Sequence, residues 1–128
     1  MKLHLASTEG RNTVTAYGAG YVTVRSVRYE RSLVVMPDRL IENWGADAVA
    51  RLDQESVAAL AGLGAEVVLI GTGLTLKFPS QEVLRPLIEA GIGFEVMDTG
   101  AACRTYNILV AENRRVAAAI LIQVPTGR

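Results

Sequence analysis

The sequence predicts an α/β protein: a single three-layer domain with a central mixed sheet, helices packed on it and an additional N-terminal β meander. Three observations carry this. Residues Val67-Val68-Leu69-Ile70 and Ala117-Ala118-Ala119-Ile120-Leu121-Ile122 are unbroken apolar runs, as strands covered on both faces must be. Gly71-Thr72-Gly73 and Asp98-Thr99-Gly100 lie 27 residues apart, each entered from an apolar run, close to the length a parallel strand-helix-strand crossover needs. The first 45 residues, in contrast, alternate apolar and polar residues between turn signals.

Each element follows from local chemistry. Val14 and Ala16 alternate with Thr13, Thr15 and Tyr17, and Tyr21 and Thr23 alternate with Val22 and Val24, with Gly18-Ala19-Gly20 as the break. A third run, Tyr29 to Met36, stops at Pro37-Asp38, a pair that cannot continue a central strand. Leu40-Ile41 leads to Trp44 as a further short strand. Asp53 is an N-cap for a helix carrying Val57, Leu60 and Ala61, closed by Gly62 or Gly64. Ser80 caps a second helix with the stripe Val83, Leu84, Leu87, Ile88 and a stop at Gly91; Pro86 predicts a kink or a later start. Phe94 and Val96 form the next strand. Asp98 or Thr99 caps a third helix bearing Ala102, Tyr106, Leu109 and Val110, and a last strand runs from Val116 to Val124, ended by Pro125. Two apolar strands joined by an amphipathic helix predict that residues 66–70 and 93–97 run parallel in one sheet.

Composition narrows the function classes. At 128 residues with 50% hydrophobic and 20% charged residues, the chain is long enough for one core and far from the composition of disorder. Thirteen basic and thirteen acidic residues give zero net charge, without the general attraction that nucleic acid or an anionic surface requires. Cys103 is the only cysteine and His4 the only histidine, so no Cys/His metal site and no internal disulfide is expected. The start at Met1-Lys2, with alternating Leu3 and Leu5, lacks a signal-peptide core, and no run of 18 apolar residues occurs. A cytoplasmic protein without direct membrane insertion is the expectation.

No group of side chains amounts to a catalytic apparatus. Met97-Asp98-Thr99-Gly100 copies the tripeptide of aspartic proteases, but that chemistry needs paired carboxylates inside β loops, and an alanine-led helical pattern follows here. Cys103 falls in the first turn of that helix without a histidine beside it and is expected to be a buried apolar group. Arg25, Arg28 and Arg31 around Tyr29 are interrupted by Glu30 and point to a solvated hairpin edge.

The candidate ligand-binding residues are Gly71, Thr72, Gly73, Asp98, Thr99, Arg104 and Asn107. They follow from geometry: parallel strands ending in the two glycine turns open on one sheet edge, where α/β sheets keep their crevice. Free amides of the third helix face that edge, with Arg104 about one turn along. Asp98 opposes an anion there, so binding is expected to be weak. Tyr106 belongs to the apolar stripe with its hydroxyl hydrogen-bonded, which leaves Asn107 as the polar contact.

Gly71-Thr72-Gly73, Gly91-Ile92, Glu95 to Thr99, Ala102, Thr105-Tyr106-Asn107 and Arg114 to Ile120 resemble a small uncharacterised domain family of bacteria, archaea and mitochondria. Its animal relatives include a respiratory complex I assembly factor and an adipogenesis-associated protein. The resemblance covers roughly residues 8 to 124 and implies a three-layer α/β fold. For function it implies a non-enzymatic protein-interaction domain, an assembly factor for a larger or membrane-associated complex, with an unidentified protein partner and homo-oligomerisation left open. The rival is a small-molecule or anion-binding protein, or a minor enzyme, using the glycine-turn edge. No cofactor is expected.

Overall fold

A computed structural model describes residues 10–123. His4, Leu3 and Leu5, and Val124-Pro125, lie outside the described residues, but the last strand, expected from Val116 to Val124, already ends at Ile120, since the Ile122 amide bonds the Ser32 hydroxyl instead of a neighbouring strand. The N-terminal segment forms an antiparallel meander of β1 (Val14–Gly18), β2 (Tyr21–Val24) and β3 (Val27–Tyr29). The expected run from Tyr29 to Met36 is broken: β4 (Leu33–Met36) belongs to the other sheet and pairs antiparallel with β5 (Arg39–Glu42). The break is enforced at Ser32, whose buried hydroxyl donates to the Ala46 carbonyl at 2.7 Å and accepts from the Ile122 amide at 2.8 Å.

A short 3-10 turn, Val49–Arg51, precedes α1 (Gln54–Ala61), which the Asp53 carboxylate caps by accepting from the Ser56 amide. Then β6 (Val67–Gly71), α2 (Gln81–Ala90), β7 (Gly93–Met97), α3 (Thr99–Ala111) and β8 (Val116–Ile120) follow in order. The second sheet has the order β5-β4-β8-β6-β7, with β8, β6 and β7 mutually parallel and β4 antiparallel to β8. The expected parallel pairing of the strands around residues 66–70 and 93–97 is therefore present.

Alternation along β8 shows why its strand is all apolar. Val116, Ala118 and Ile120 face a core shared with α3 and the meander, while Ala117, Ala119 and Leu121 face one shared with α1 and α2. Small alanines let both helix layers approach closely. The layers are thus α3 with the meander, the mixed sheet, and α1 with α2. Ser80 accepts from the Val83 amide at the start of α2, and Gly91, at φ +69°, ends it in the left-handed conformation that glycine adopts without a Cβ penalty.

Two details of α2 differ from expectation. The helix does not start late: it begins at Gln81 and contains Pro86 in its interior. Proline removes the amide that would bond the Glu82 carbonyl, and Gln54 Nε2 donates to that carbonyl instead, at 2.7 Å. Ile88 is exposed rather than part of the buried stripe, because the covered side runs from Leu84 to Leu87 and Ile88 lies beyond Leu84.

Candidate functional site

The ends of β6, β7 and β8 are level, with Gly71 beside Met97 on one side and Ile120 on the other. After β6 the chain turns to the α2 face and after β7 to the α3 face. Neighbouring strands whose connections leave to opposite faces open a crevice between their carboxyl ends. A cleft of about 720 Å³ lies there, walled on its other side by Tyr17 to Tyr21 of the meander.

Five of the seven residues expected at this edge line the cleft: Thr72, Gly73, Asp98, Thr99 and Arg104. Gly71 does not. Its role is packing, because a Cβ there would stand 3.0 Å from Ile120 Cδ1 and 3.3 Å from Thr99 Cα. Asn107 is not brought to the cleft either; its amide oxygen accepts from the Val14 N–H at 2.9 Å and its nitrogen donates to the Val14 carbonyl at 2.8 Å. The side chain takes the place of a strand partner for β1. Tyr106 is fully buried and donates to the Asn12 carbonyl at 2.8 Å, as its place on the apolar stripe predicts, whereas Asn107 is taken up by Val14.

The expected free amides of α3 are largely engaged within the chain. Thr99 N–H donates to the Gly73 carbonyl and Gly73 N–H to Thr99 Oγ1, both at 2.9 Å. Asp98 caps the helix by accepting from the Ala101 amide at 2.9 Å, and the Ala102 amide bonds the Asp98 carbonyl. The two glycine turns are therefore stitched to each other, and three of the first four helix amides have internal partners. Arg104 Nη1 donates to the Tyr17 hydroxyl, which holds the guanidinium at the cleft wall. Cys103 is buried behind it, and burial pushes the thiol up to about 12 against a small opposing effect of Arg104. Among the described residues no group of three or more His, Cys, Asp or Glu side chains converges as a metal site.

Residues 74–78, which are not among those the sequence points to as a site, form an exposed apolar surface. Leu74, Leu76 and Phe78 are 77%, 49% and 70% exposed. The loop is nonetheless fixed from within: buried Thr72 donates its hydroxyl to the Thr75 carbonyl at 2.8 Å and accepts from the Lys77 amide at 3.2 Å. The available signal was the alternation Leu74, Leu76, Phe78, which looks like a strand but begins straight after a glycine turn and ends at Pro79.

Residues 14–121 match the model of the family described as "Protein of unknown function (DUF498/DUF598)". The chain belongs to this family. Solved structures agree on the fold: a crystal structure of a Bordetella parapertussis protein superimposes with a TM-score of 0.82 at 43% identity, covering 89% of this chain and 98% of that one. Among curated relatives, the zebrafish (Danio rerio) "NADH dehydrogenase [ubiquinone] 1 alpha subcomplex assembly factor 3" is 37% identical over 73% of this chain and 53% of its own length. The chain thus spans about half of that relative. A Francisella tularensis protein named "13 kDa major membrane protein" is 27% identical over 82% of this chain and 86% of its own. Among the described residues no helix is long and apolar enough to cross a membrane.

Proposed function

We propose that this DUF498/DUF598 member is a protein-interaction domain that acts in assembling a larger complex and docks its partner through the 74–78 loop. The observation that carries the reading is the ridge of exposed Leu74, Leu76 and Phe78, on a loop that Thr72 ties down at Thr75 and Lys77. Leaving three large apolar side chains in water is unfavourable, and a fixed apolar surface is what a partner buries. The assembly-factor name of the zebrafish relative supports the same class of role. Non-enzymatic action in the cytoplasm completes the proposal.

The test is co-purification from the native host with tagged wild-type chain and with a Leu74→Ser/Phe78→Ser variant, compared by quantitative mass spectrometry. A partner held by the wild type and lost from the variant is expected. Identical partner sets for the two would sink the reading. A second reading, a small ligand in the cleft lined by Thr72, Gly73, Asp98, Thr99 and Arg104, is supported by the cleft's position at the crevice of the sheet. Engagement of the helix amides within the chain weighs against it.

A further inference from the structure

The cleft that adjoins the apolar ridge is lined by two cations and two carboxylates, and one cation, Lys77, is left without a partner among the described residues. Lys77 lines it, and the Lys77 ammonium has neither hydrogen bond nor ion pair among the described residues. Arg104 lines it too, and its guanidinium donates to a neutral group, the Tyr17 hydroxyl. Two carboxylates also line the cleft. Asp47 is ion-paired with Arg51, and Asp98 accepts from the Ala101 amide. Asp98 still offsets part of the Arg104 charge, since both groups lie within 3.4 Å of where a Gly100 Cβ would stand. Lys77 is therefore the stronger attractor. Leu74 belongs to both features, being part of the ridge and part of the cleft lining.

We propose that ridge and cleft together receive one extended segment of a protein partner, with apolar side chains laid on Leu74, Leu76 and Phe78 and an aspartate or glutamate directed to Lys77 and Arg104. The inference rests on the reading of residues 74–78 as a protein-docking loop and adds the partner's chemistry. Charge complementarity selects the acidic residue, and burial of the ridge selects its apolar neighbours. A flat anionic membrane would cover the ridge, but the two cations line a concavity of about 720 Å³ that a projecting side chain enters and a lipid surface does not.

The experiment is selection of a random peptide library, displayed on phage, against the immobilised full chain, followed by fluorescence-anisotropy titration of the most enriched peptide. Enriched sequences should join Asp or Glu to Leu, Ile, Phe or Trp. Lys77→Glu should weaken the peptide about fivefold or more, Lys77→Arg should leave it near wild type, and added salt should weaken the wild-type complex. Leu74→Ser/Phe78→Ser should abolish binding, with circular dichroism and melting matching wild type because these side chains are exposed. No enrichment, or enrichment of basic sequences, overturns the inference. Binding to phosphatidylglycerol vesicles in preference to the peptides, or a peptide-free dimer through this face in light scattering, does the same. If the ridge variant abolishes binding while Lys77→Glu leaves it unchanged, the acidic partner is wrong and the protein-docking reading stands. If neither variant matters, both fail.

Discussion

Gly71 has no side chain because α3 occupies the space one would fill. Replacing it by alanine brings a Cβ to 3.0 Å from Ile120 Cδ1 and 3.3 Å from both Ala102 Cβ and Thr99 Cα. The isoleucine tip can turn away, but the backbone of Thr99 is tied to Gly73 and cannot. Gly71→Ala should therefore lower the unfolding free energy by about 1–3 kcal/mol in urea titration, and an unchanged midpoint would show that α3 slides freely on the sheet. Behind the same helix start, burial raises the Cys103 thiol from 9.0 to about 12, and burial, with the Asp38 charge adding to it, raises the Tyr106 phenol. The unfolded chain releases both protons nearer their ordinary values, so above about pH 9 it binds fewer protons than the folded chain. Stability should be unaffected by these groups below that pH and fall as pH rises toward 12, the thiol contributing from about pH 9 and the phenol from about pH 10, each by at most about 1.4 kcal/mol per pH unit. Urea midpoints across this range check the slope, and Cys103→Ala should remove the thiol's share. At neutral pH the native thiol should label with a disulfide reagent far more slowly than in denaturant.

Helix α2 keeps an interior proline because α1 supplies the missing donor. The Glu82 carbonyl, left without the amide that Pro86 lacks, accepts from Gln54 Nε2 at the first residue of α1. A neutral bond at an exposed position of this kind contributes about 0.5–1.5 kcal/mol. Gln54→Ala should cost about that much in the natural chain and clearly less in a Pro86→Ala background, where the helix regains its own bond to Glu82. A double-mutant cycle measures the difference, and equal losses in the two backgrounds would remove the compensating role of Gln54. Elsewhere the same economy of side chains for backbone groups fixes β1, whose Val14 amide and carbonyl both bond Asn107 of α3.

The molecule joins a three-stranded meander to a five-stranded sheet through one apolar cluster, which contains Val14, Val22 and Val24 together with Tyr106, Leu69, Ala118 and Ile120. A two- or three-stranded ribbon is marginal in water without such cover. The meander and the main sheet should therefore open together: amides of Val22 and Val24 should show hydrogen-exchange protection close to that of Leu69 and Ala118. Protection of the β2 amides lower by orders of magnitude would reveal a meander that detaches from the sheet on its own.

Wherever a local pattern had one physical solution, the amino-acid order alone determined the outcome. Apolar runs at 67–70 and 117–120 could only be covered strands, Asp53 and Ser80 could only start helices before their apolar stripes, and 27 residues between glycine turns required a parallel crossover. The edge on which those turns meet followed from that topology, which is why Thr72, Gly73, Asp98, Thr99 and Arg104 come together at the cleft. Partners distant in sequence were settled only by the tertiary structure. Asn107 faces Val14 rather than the edge, Thr99 Oγ1 accepts from the Gly73 amide, and Gln54 completes a helix 28 residues away, because a side-chain bond depends on where other elements pack. The exposure of Leu74, Leu76 and Phe78 belongs to the same class: apolar alternation ordinarily marks a buried strand, and only the folded chain, with Thr72 pinning that loop from beneath, turns those side chains to solvent.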